Sequence, residues 1–238
     1  MKALAIDSCS KYISFAACNG ENTAVISLDT GRHQSEKLMP AIDYVMNQCE
    51  MLPGELDFTT LCQGPGSFTG LRLAFAVLKA FELAHNCPLY AIPTLEAWAY
   101  PYISWKGAVI PVIDAKKNQF YASVYRSGKA QSEALDASVQ DILRLIDPEE
   151  AILLVGPDAE YFLQQVKAER PVQETHIFAP YDKTCVLSLL ELASKKFAKN
   201  EKSFEEYEGP VYIRKSEAEI NLNLSKNMHD ATPGHTKL

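Results

Sequence analysis

The sequence predicts an α/β protein built as two similar halves, each a mixed sheet flanked by helices, and three observations carry that expectation. A strand-acid-turn-strand pattern occurs twice, around Asp7 in "KALAID" and again around Asp114 in "AVIPVIDAKKNQFYASVY". Short apolar runs alternate with stretches of helical period, as expected where helices cover a sheet. The Pro- and aromatic-rich stretch "CPLYAIPTLEAWAYPYISWKG" separates the two patterns and places a boundary near Trp105. The expected domains are residues 1–104 and 105–215. The polar tail from 216 to 238 shows no sustained apolar period and is expected to lack fixed structure.

Each element can be justified in chain order. Residues 2–7 read as a short buried strand ending in an acid, and "ISFAACNGENTAVISL" gives two strand-like runs around Asn19-Gly20, a hairpin signal. From Ser35 onward Leu38, Ile42, Val45, Cys49 and Leu52 recur at spacings of four, three, four and three, which predicts a helix. Pro40 removes an early hydrogen bond, so the regular helix should begin near Pro40 or carry a kinked first turn. "FTTLCQ" reads as a strand running into a glycine-rich loop, and Leu71 to His85 as the next helix. The second half offers a strand ending at Asp114, a turn, and a strand through Tyr121 and Tyr125. It continues with a helical segment before Pro148, a buried strand "AILLVG", a helix from Pro157 to Lys167, and a last helix in "TCVLSLLELASKKFAK".

The helix from Leu71 carries more apolar surface than one sheet can cover. Arg72, Lys79 and Glu82, its charged residues before His85, fall within a sector of roughly 80° at about 100° per residue. An ordinary surface helix needs an apolar stripe of only about 100°. Such a helix is either sandwiched within its own domain or paired with another subunit. The preceding helix, whose seam repeats near every 3.5 residues, is a natural neighbour for such a contact.

Composition excludes several classes. Of the 238 residues 47% are hydrophobic and 22% charged, which suits a globular chain with a sizeable core. No apolar run approaches the roughly 18 residues that span a bilayer, and Asp7 interrupts the N-terminus before a signal-peptide core forms. A cytoplasmic location and no membrane partner are therefore expected. The net charge of −7 opposes a direct grip on nucleic acid phosphates, so any RNA contact should run through a partner. Six cysteines lie scattered without a Cys-x-x-Cys pair and read as small buried hydrophobes. No two of the five histidines stand four residues apart, so no His-x-x-x-His or His-Glu-x-x-His metal site is written, and none is expected.

The loop "QGPGSFTGLR" resembles phosphate-binding templates and fails both. A P-loop needs Lys and Ser or Thr directly after its last glycine, whereas Gly70 is followed by Leu71 and Arg72. The dinucleotide fingerprint needs a third glycine where Thr69 stands. Two generic readings remain. Backbone N–H groups at the helix start can attract an anion, with Ser67 or Thr69 as cap. Gly-Pro-Gly is also turn chemistry that allows close packing.

Two hairpins that each open with an acid suit the two-lobed actin-like (ASKHA, ribonuclease H-like) fold, where such acids face magnesium and phosphate across a cleft. Asp7 and Asp114 could equally cap turns. The adenosine loop of that superfamily is typically a Gly-Gly pair, and the comparable turn here is Gly156-Pro157, which counts against ATP turnover by this chain alone.

The segments "LAIDSCS", "HQSEKLMP", "GPGSFTGLRLAFA", "IPTLEAWA", "VIDAKKNQFYASVY" and "GPVYIR", spanning residues 4 to 214, resemble the TsaB (YeaZ) family of bacterial tRNA threonylcarbamoyladenosine biosynthesis proteins. Older usage places such chains in a glycoprotease family. The resemblance implies an actin-like fold without catalytic residues or metal. It also implies pairing with the catalytic paralogue TsaD and the small ATPase TsaE, homodimerisation when alone, and only indirect contact with tRNA. The paralogue's pair of metal-binding histidines has no counterpart here, so peptidase chemistry gains no support. No cofactor is required of this chain, and ATP or ADP is expected, if anywhere, at the subunit interface. Where relatives usually carry Asp-Ala-Arg this chain has Asp114-Ala115-Lys116, which keeps the charge and loses the planar fork.

Resemblance and periodicity together assign roles. Leu38, Ile42, Val45, Leu71, Phe75 and Leu78 are expected at the subunit interface. The loop of Gly64, Pro65, Gly66, Ser67, Phe68, Thr69 and Gly70 is expected to position the second helix. Asp7, Ser8 and Asp114 are expected to face a phosphate or to be vestiges of such a site. The competing function is an actin-like, ATP-dependent small-molecule kinase using Asp7 and Asp114.

Overall fold

The computed structural model describes residues 1–31, 33–169, 177–178, 183–204 and 208–214. The expectation for the tail from 216 lies outside the described residues.

The first sheet holds β1 (Lys2–Asp7), β2 (Tyr12–Asn19), β3 (Asn22–Asp29), β4 (Phe58–Gly64) and β5 (Leu89–Pro93) in the order β3-β2-β1-β4-β5. The first three strands pair antiparallel, and β4 and β5 add in parallel. Antiparallel neighbours need only tight turns, and Gly20 supplies one with φ of 63°. Parallel neighbours need crossovers, which α1 (Gln34–Gln48) and α2 (Phe68–His85) provide. Strand β1 is apolar at nearly every position because both faces of the sheet are covered. Leu4 and Ile6 meet the buried sides of α1 and α2, whereas Ala3 and Ala5 face α6 (Val186–Ala198).

The second sheet repeats the pattern. It contains β6 (Ala108–Asp114), β7 (Phe120–Ala122), β10 (Leu135–Ala137), β11 (Ile152–Val155) and β12 (Ile177–Phe178), ordered β10-β7-β6-β11-β12. Here β7 and β10 are antiparallel additions on one side of β6, while β11 and β12 are parallel additions on the other. Strands β8 (Tyr125–Arg126) and β9 (Lys129–Ala130) form a small hairpin beside β6. Strand β6 therefore occupies the place of β1, and Asp114 ends it as Asp7 ends β1. Helices α4 (Val139–Leu143) and α5 (Ala159–Glu169) cover one face through Ile142 and Phe162. Between the two sheets lies a shared core where Leu95 and Trp98 of α3 (Thr94–Ala99) and Val186 and Leu189 of α6 meet Val109, Ile113 and Val155.

Two helix starts and one whole element differ from expectation. Helix α1 starts at Gln34 and carries Pro40 inside it, on the exposed side where the lost hydrogen bond leaves a carbonyl open to water. Helix α2 begins at Phe68 rather than Leu71, because Ser67 is its N-cap and its hydroxyl accepts from the Gly70 N–H at 3.3 Å. Helix α3 was not expected. It is six residues long, too short for a visible period, and follows Pro93 directly. All six cysteines are free thiols. No helix among the described residues is long and apolar enough to cross a membrane.

Candidate functional site

The loop from Gly64 to Gly70 is clamped from both sides. The Ser67 N–H donates to the Cys9 carbonyl at 2.7 Å, and the Ser8 hydroxyl donates to the Gly70 carbonyl at 2.9 Å. Ser8 is thereby buried and occupied, so it does not face a phosphate. Gly70 is required by this contact, since a Cβ there would lie 2.1 Å from the Ser8 carbonyl oxygen. On the other side Val211 donates its N–H to the Gln63 carbonyl at 2.8 Å, and Gly64, with φ of 119°, leaves no room for a side chain against the Val211 carbonyl. The Gly64–Pro65 peptide is cis. The Phe68 and Tyr212 rings lie 4.5 Å apart, and Arg72 stacks on Phe68 at 3.9 Å while its Nε donates to the Tyr212 hydroxyl at 3.0 Å. The two motifs "GPGSFTG" and "GPVYIR" are thus one packed unit, a contact that sequence spacing does not reveal.

The six residues expected at a subunit interface require correction. Leu38, Ile42, Val45, Leu71, Phe75 and Leu78 are each at most 6% exposed. Five of them fill the core against β1 and β2, and Leu71 reaches the core between the sheets. Their period marks the side facing the protein's own sheet, so they offer almost no surface to a partner.

The surplus apolar arc of α2 lies elsewhere. Ala76, Ala80, Leu83 and Ala84 fall within about 100° of the helix circumference, on the side away from the sheet, with Leu73 and Val77 toward its edge half-buried against the core. Ala76, Ala80 and Ala84 are exposed, and Leu83 is 80% exposed. Helix α1 lies on the same face of the sheet and presents Met39 and Tyr44, each 52% exposed. The three- and four-residue spacing of Ala76, Ala80 and Leu83 was a usable signal, hidden because the opposite side is apolar too.

Between the halves lies a cavity of about 750 Å³, bounded by Lys11, Ser67 and Thr69 on one side and by Asp114, Lys116 and Asp158 on the other. Asp114 lines it. Its carboxylate accepts from the Lys116 ammonium and from the Lys116 N–H at 2.6 and 2.7 Å. Lys116, Lys117 and Asn118 all have φ near +60°, a left-handed turn that folds Lys116 back onto the acid. Asp158, which sequence reasoning missed, accepts the Asp114 N–H at 2.8 Å. Burial, reinforced by the Asp114 carboxylate, raises its pKa above the usual aspartate value.

Asp7 does not reach the cavity, which corrects the second phosphate-facing expectation. It is 2% exposed and accepts from the Thr184 hydroxyl at 2.9 Å, the Cys185 N–H at 3.1 Å and the Cys9 N–H at 3.2 Å. A carboxylate against the first N–H groups of α6 balances that helix's positive end. Burial pushes up the thiols of Cys62 and Cys185 beside it, and a hydrogen bond to Cys62 pushes up that of Cys9.

Two sheets of identical strand order, each with an acid at the end of its first strand and a cleft between them, define an actin-like, ATPase-type fold. The chain belongs to the family described as "TsaD: tRNA N6-adenosine threonylcarbamoyltransferase", whose model matches residues 24–222. It is 28% identical over 174 residues to the tRNA threonylcarbamoyladenosine biosynthesis protein TsaB of Bacillus subtilis, covering 70% of this chain and 76% of the relative. A protein of the same name from Haemophilus influenzae is 28% identical over 133 residues, about half of each chain at 55% and 56%. The fold matches that of a Pseudomonas aeruginosa protein described as similar to peptidase YeaZ, with a TM-score of 0.73 and 21% identity, over 90% of this chain and 99% of that one.

Proposed function

We propose that this chain is the non-catalytic accessory subunit of tRNA threonylcarbamoyladenosine biosynthesis. In this reading it docks and activates a TsaD-type catalytic paralogue, with TsaE as the associated small ATPase. The observation that carries the proposal is the outward apolar stripe of α2, on which Ala76, Ala80 and Leu83 are exposed. Alanines at Ala76 and Ala80 let a second helix approach closely, and Leu83 supplies a projecting anchor. A paralogue of the same fold carries a helix pair in the same place, so the two pairs can pack about a pseudo-twofold axis. Without the paralogue, the same surface pairs with a second copy of this chain.

The cleft supports a non-catalytic role. Asp7 is committed to α6, and Asp114 is held by Lys116. The chain then needs no cofactor of its own, and ATP or ADP would belong to the subunit interface. With a net charge of −7, tRNA is held through the partner.

The test is co-purification of the tagged chain with the catalytic paralogue and the small ATPase, comparing wild type with the double variant Ala80→Arg, Leu83→Asp. Recovery should fall at least tenfold in a variant whose melting is unchanged. Undiminished pairing would remove the stripe from the interface. The acidic pair in the cavity favours a second reading, an actin-like kinase. ATP hydrolysis by the pure chain that disappears in Asp114→Asn would establish it.

A further inference from the structure

Asp7, Cys62 and Cys185 meet where the end of β1, β4 and the start of α6 come together. One ligand atom from each lies within 4.8 Å of the other two, and all three residues are at most 3% exposed. The Cys62 and Cys185 sulfurs are 3.7 Å apart, Cys62 Sγ is 3.5 Å from Asp7 Oδ1, and Cys185 Sγ is 3.6 Å from Asp7 Oδ2. Cys9, 1% exposed, lies beside them and donates its N–H to Asp7 Oδ1 at 3.2 Å.

The sulfur–sulfur separation is that of two thiolates on one tetrahedral ion, and each sulfur stands at a similar distance from one oxygen of the Asp7 carboxylate. With metal–sulfur bonds of about 2.3 Å and metal–oxygen bonds of about 2.0 Å, a tetrahedron has edges of about 3.8 Å between sulfurs and about 3.5 Å between sulfur and oxygen. We propose that Asp7, Cys62 and Cys185 form a buried structural site for a thiophilic divalent cation, Zn²⁺ being the metal that fits the donor set. Thiolates joined by a carboxylate select a soft or borderline ion over Mg²⁺ or Ca²⁺. All three donors are at most 3% exposed, so a bound ion is closed off from substrate and the site is structural. The remaining hydrogen bonds of Asp7, from Thr184 and from the Cys9 and Cys185 N–H groups, orient the carboxylate as an outer shell does.

The proton balance is explicit. Each thiol that coordinates M²⁺ gives its proton to solvent, so binding strengthens as pH rises. The site joins two strands of the first sheet to a helix more than a hundred residues later in the chain, and the ion enters as these segments fold together. No sequence motif announces it, because Asp7, Cys62 and Cys185 come from three distant segments.

The test uses the full chain, reduced, unfolded in guanidinium with chelator, then refolded with one equivalent of Co²⁺ and desalted. About one cobalt per chain should be retained, with intense thiolate-to-cobalt near-ultraviolet absorption and the visible bands of a tetrahedral ion. Cys62→Ser and Cys185→Ser should retain at least tenfold less, whereas Cys18→Ser and Cys87→Ser should match wild type. Independently of any variant, refolding with Zn²⁺ should raise the wild-type melting temperature by roughly 5–10 °C. No retained cobalt, absorption unchanged in Cys62→Ser and Cys185→Ser, or melting indifferent to Zn²⁺ would each overturn the site and leave a hydrogen-bonded thiol cluster.

Discussion

The Asp7 carboxylate accepts the Cys185 main-chain N–H at 3.1 Å, joining residues 178 positions apart. Its counterpart Asp114 sits at the same point of the repeated topology and does something different, lining the cleft with Lys116 folded against it. The two acids that look alike in sequence have diverged because one half received the start of α6 over its strand end. The other half kept that end open. Of the two acids only Asp114 lines the cleft, and Asp7 becomes an anchor between the first sheet and α6.

Replacing that anchor should be costly to the fold. Asp7→Ala leaves the Thr184 hydroxyl and two N–H groups without their acceptor in a dry environment, a loss of roughly 2–4 kcal/mol. Urea denaturation of the full chain measures it. An acid whose task was to face phosphate could be removed with little effect, so unchanged stability would return Asp7 to the cleft.

The sequence predicted what local chemistry governs. The Asn19-Gly20 hairpin, the doubled strand-acid pattern and the helical period of α1 are short-range signals, and each appears in the structure near its expected position. Tertiary partners were not legible. Leu38 and Phe75 carry the strongest apolar period, but periodicity does not say whether a side faces the protein's own sheet or another subunit. Ser8 pairs with Gly70, and Gln63 with Val211, across separations that no single-sequence pattern encodes. Asp158 escaped notice because a lone acid at a helix start reads as a cap.

Gly70 provides a second measurable expectation. A Cβ at that position would stand 2.1 Å from the Ser8 carbonyl oxygen, a backbone atom that cannot swing aside. Gly70→Ala should therefore force the loop away from the β1–β2 turn, despite alanine's better helix propensity, and destabilise by about 2 kcal/mol or more. Thermal melting would reveal it. A variant as stable as wild type would mean that the loop yields without effort and does not fix the start of α2.

The two sides of α2 should respond oppositely to substitution. Leu78 is fully buried beneath the sheet, so Leu78→Ala should cost about 2–5 kcal/mol. Leu83 is 80% exposed, and Leu83→Asp should leave monomer stability within about 0.5 kcal/mol. Chemical denaturation at concentrations low enough to keep the chain monomeric separates the two effects. A large loss from Leu83→Asp under those conditions would show that the outer stripe is covered within the monomer.

Asp158 makes stability depend on pH in a definite direction. Burial, with the Asp114 carboxylate nearby, raises its folded-state pKa above the unfolded value of about 3.9, while Lys116 and Lys11 offset part of this. Between those two pKa values the native state binds more protons than the unfolded state, so this group's contribution to stability falls as pH rises through the interval. At neutral pH the ionised carboxylate is a net cost. Asp158→Asn keeps an oxygen to accept the Asp114 N–H and removes the charge, so the variant should be more stable than wild type at pH 7. The gap should narrow as pH falls from 7 to about 4, through the raised folded-state pKa of Asp158. Urea titrations at the two pH values test it. A gap that stays constant, or a variant that is weaker at pH 7, would show that the Asp158 charge is stabilised in the cleft.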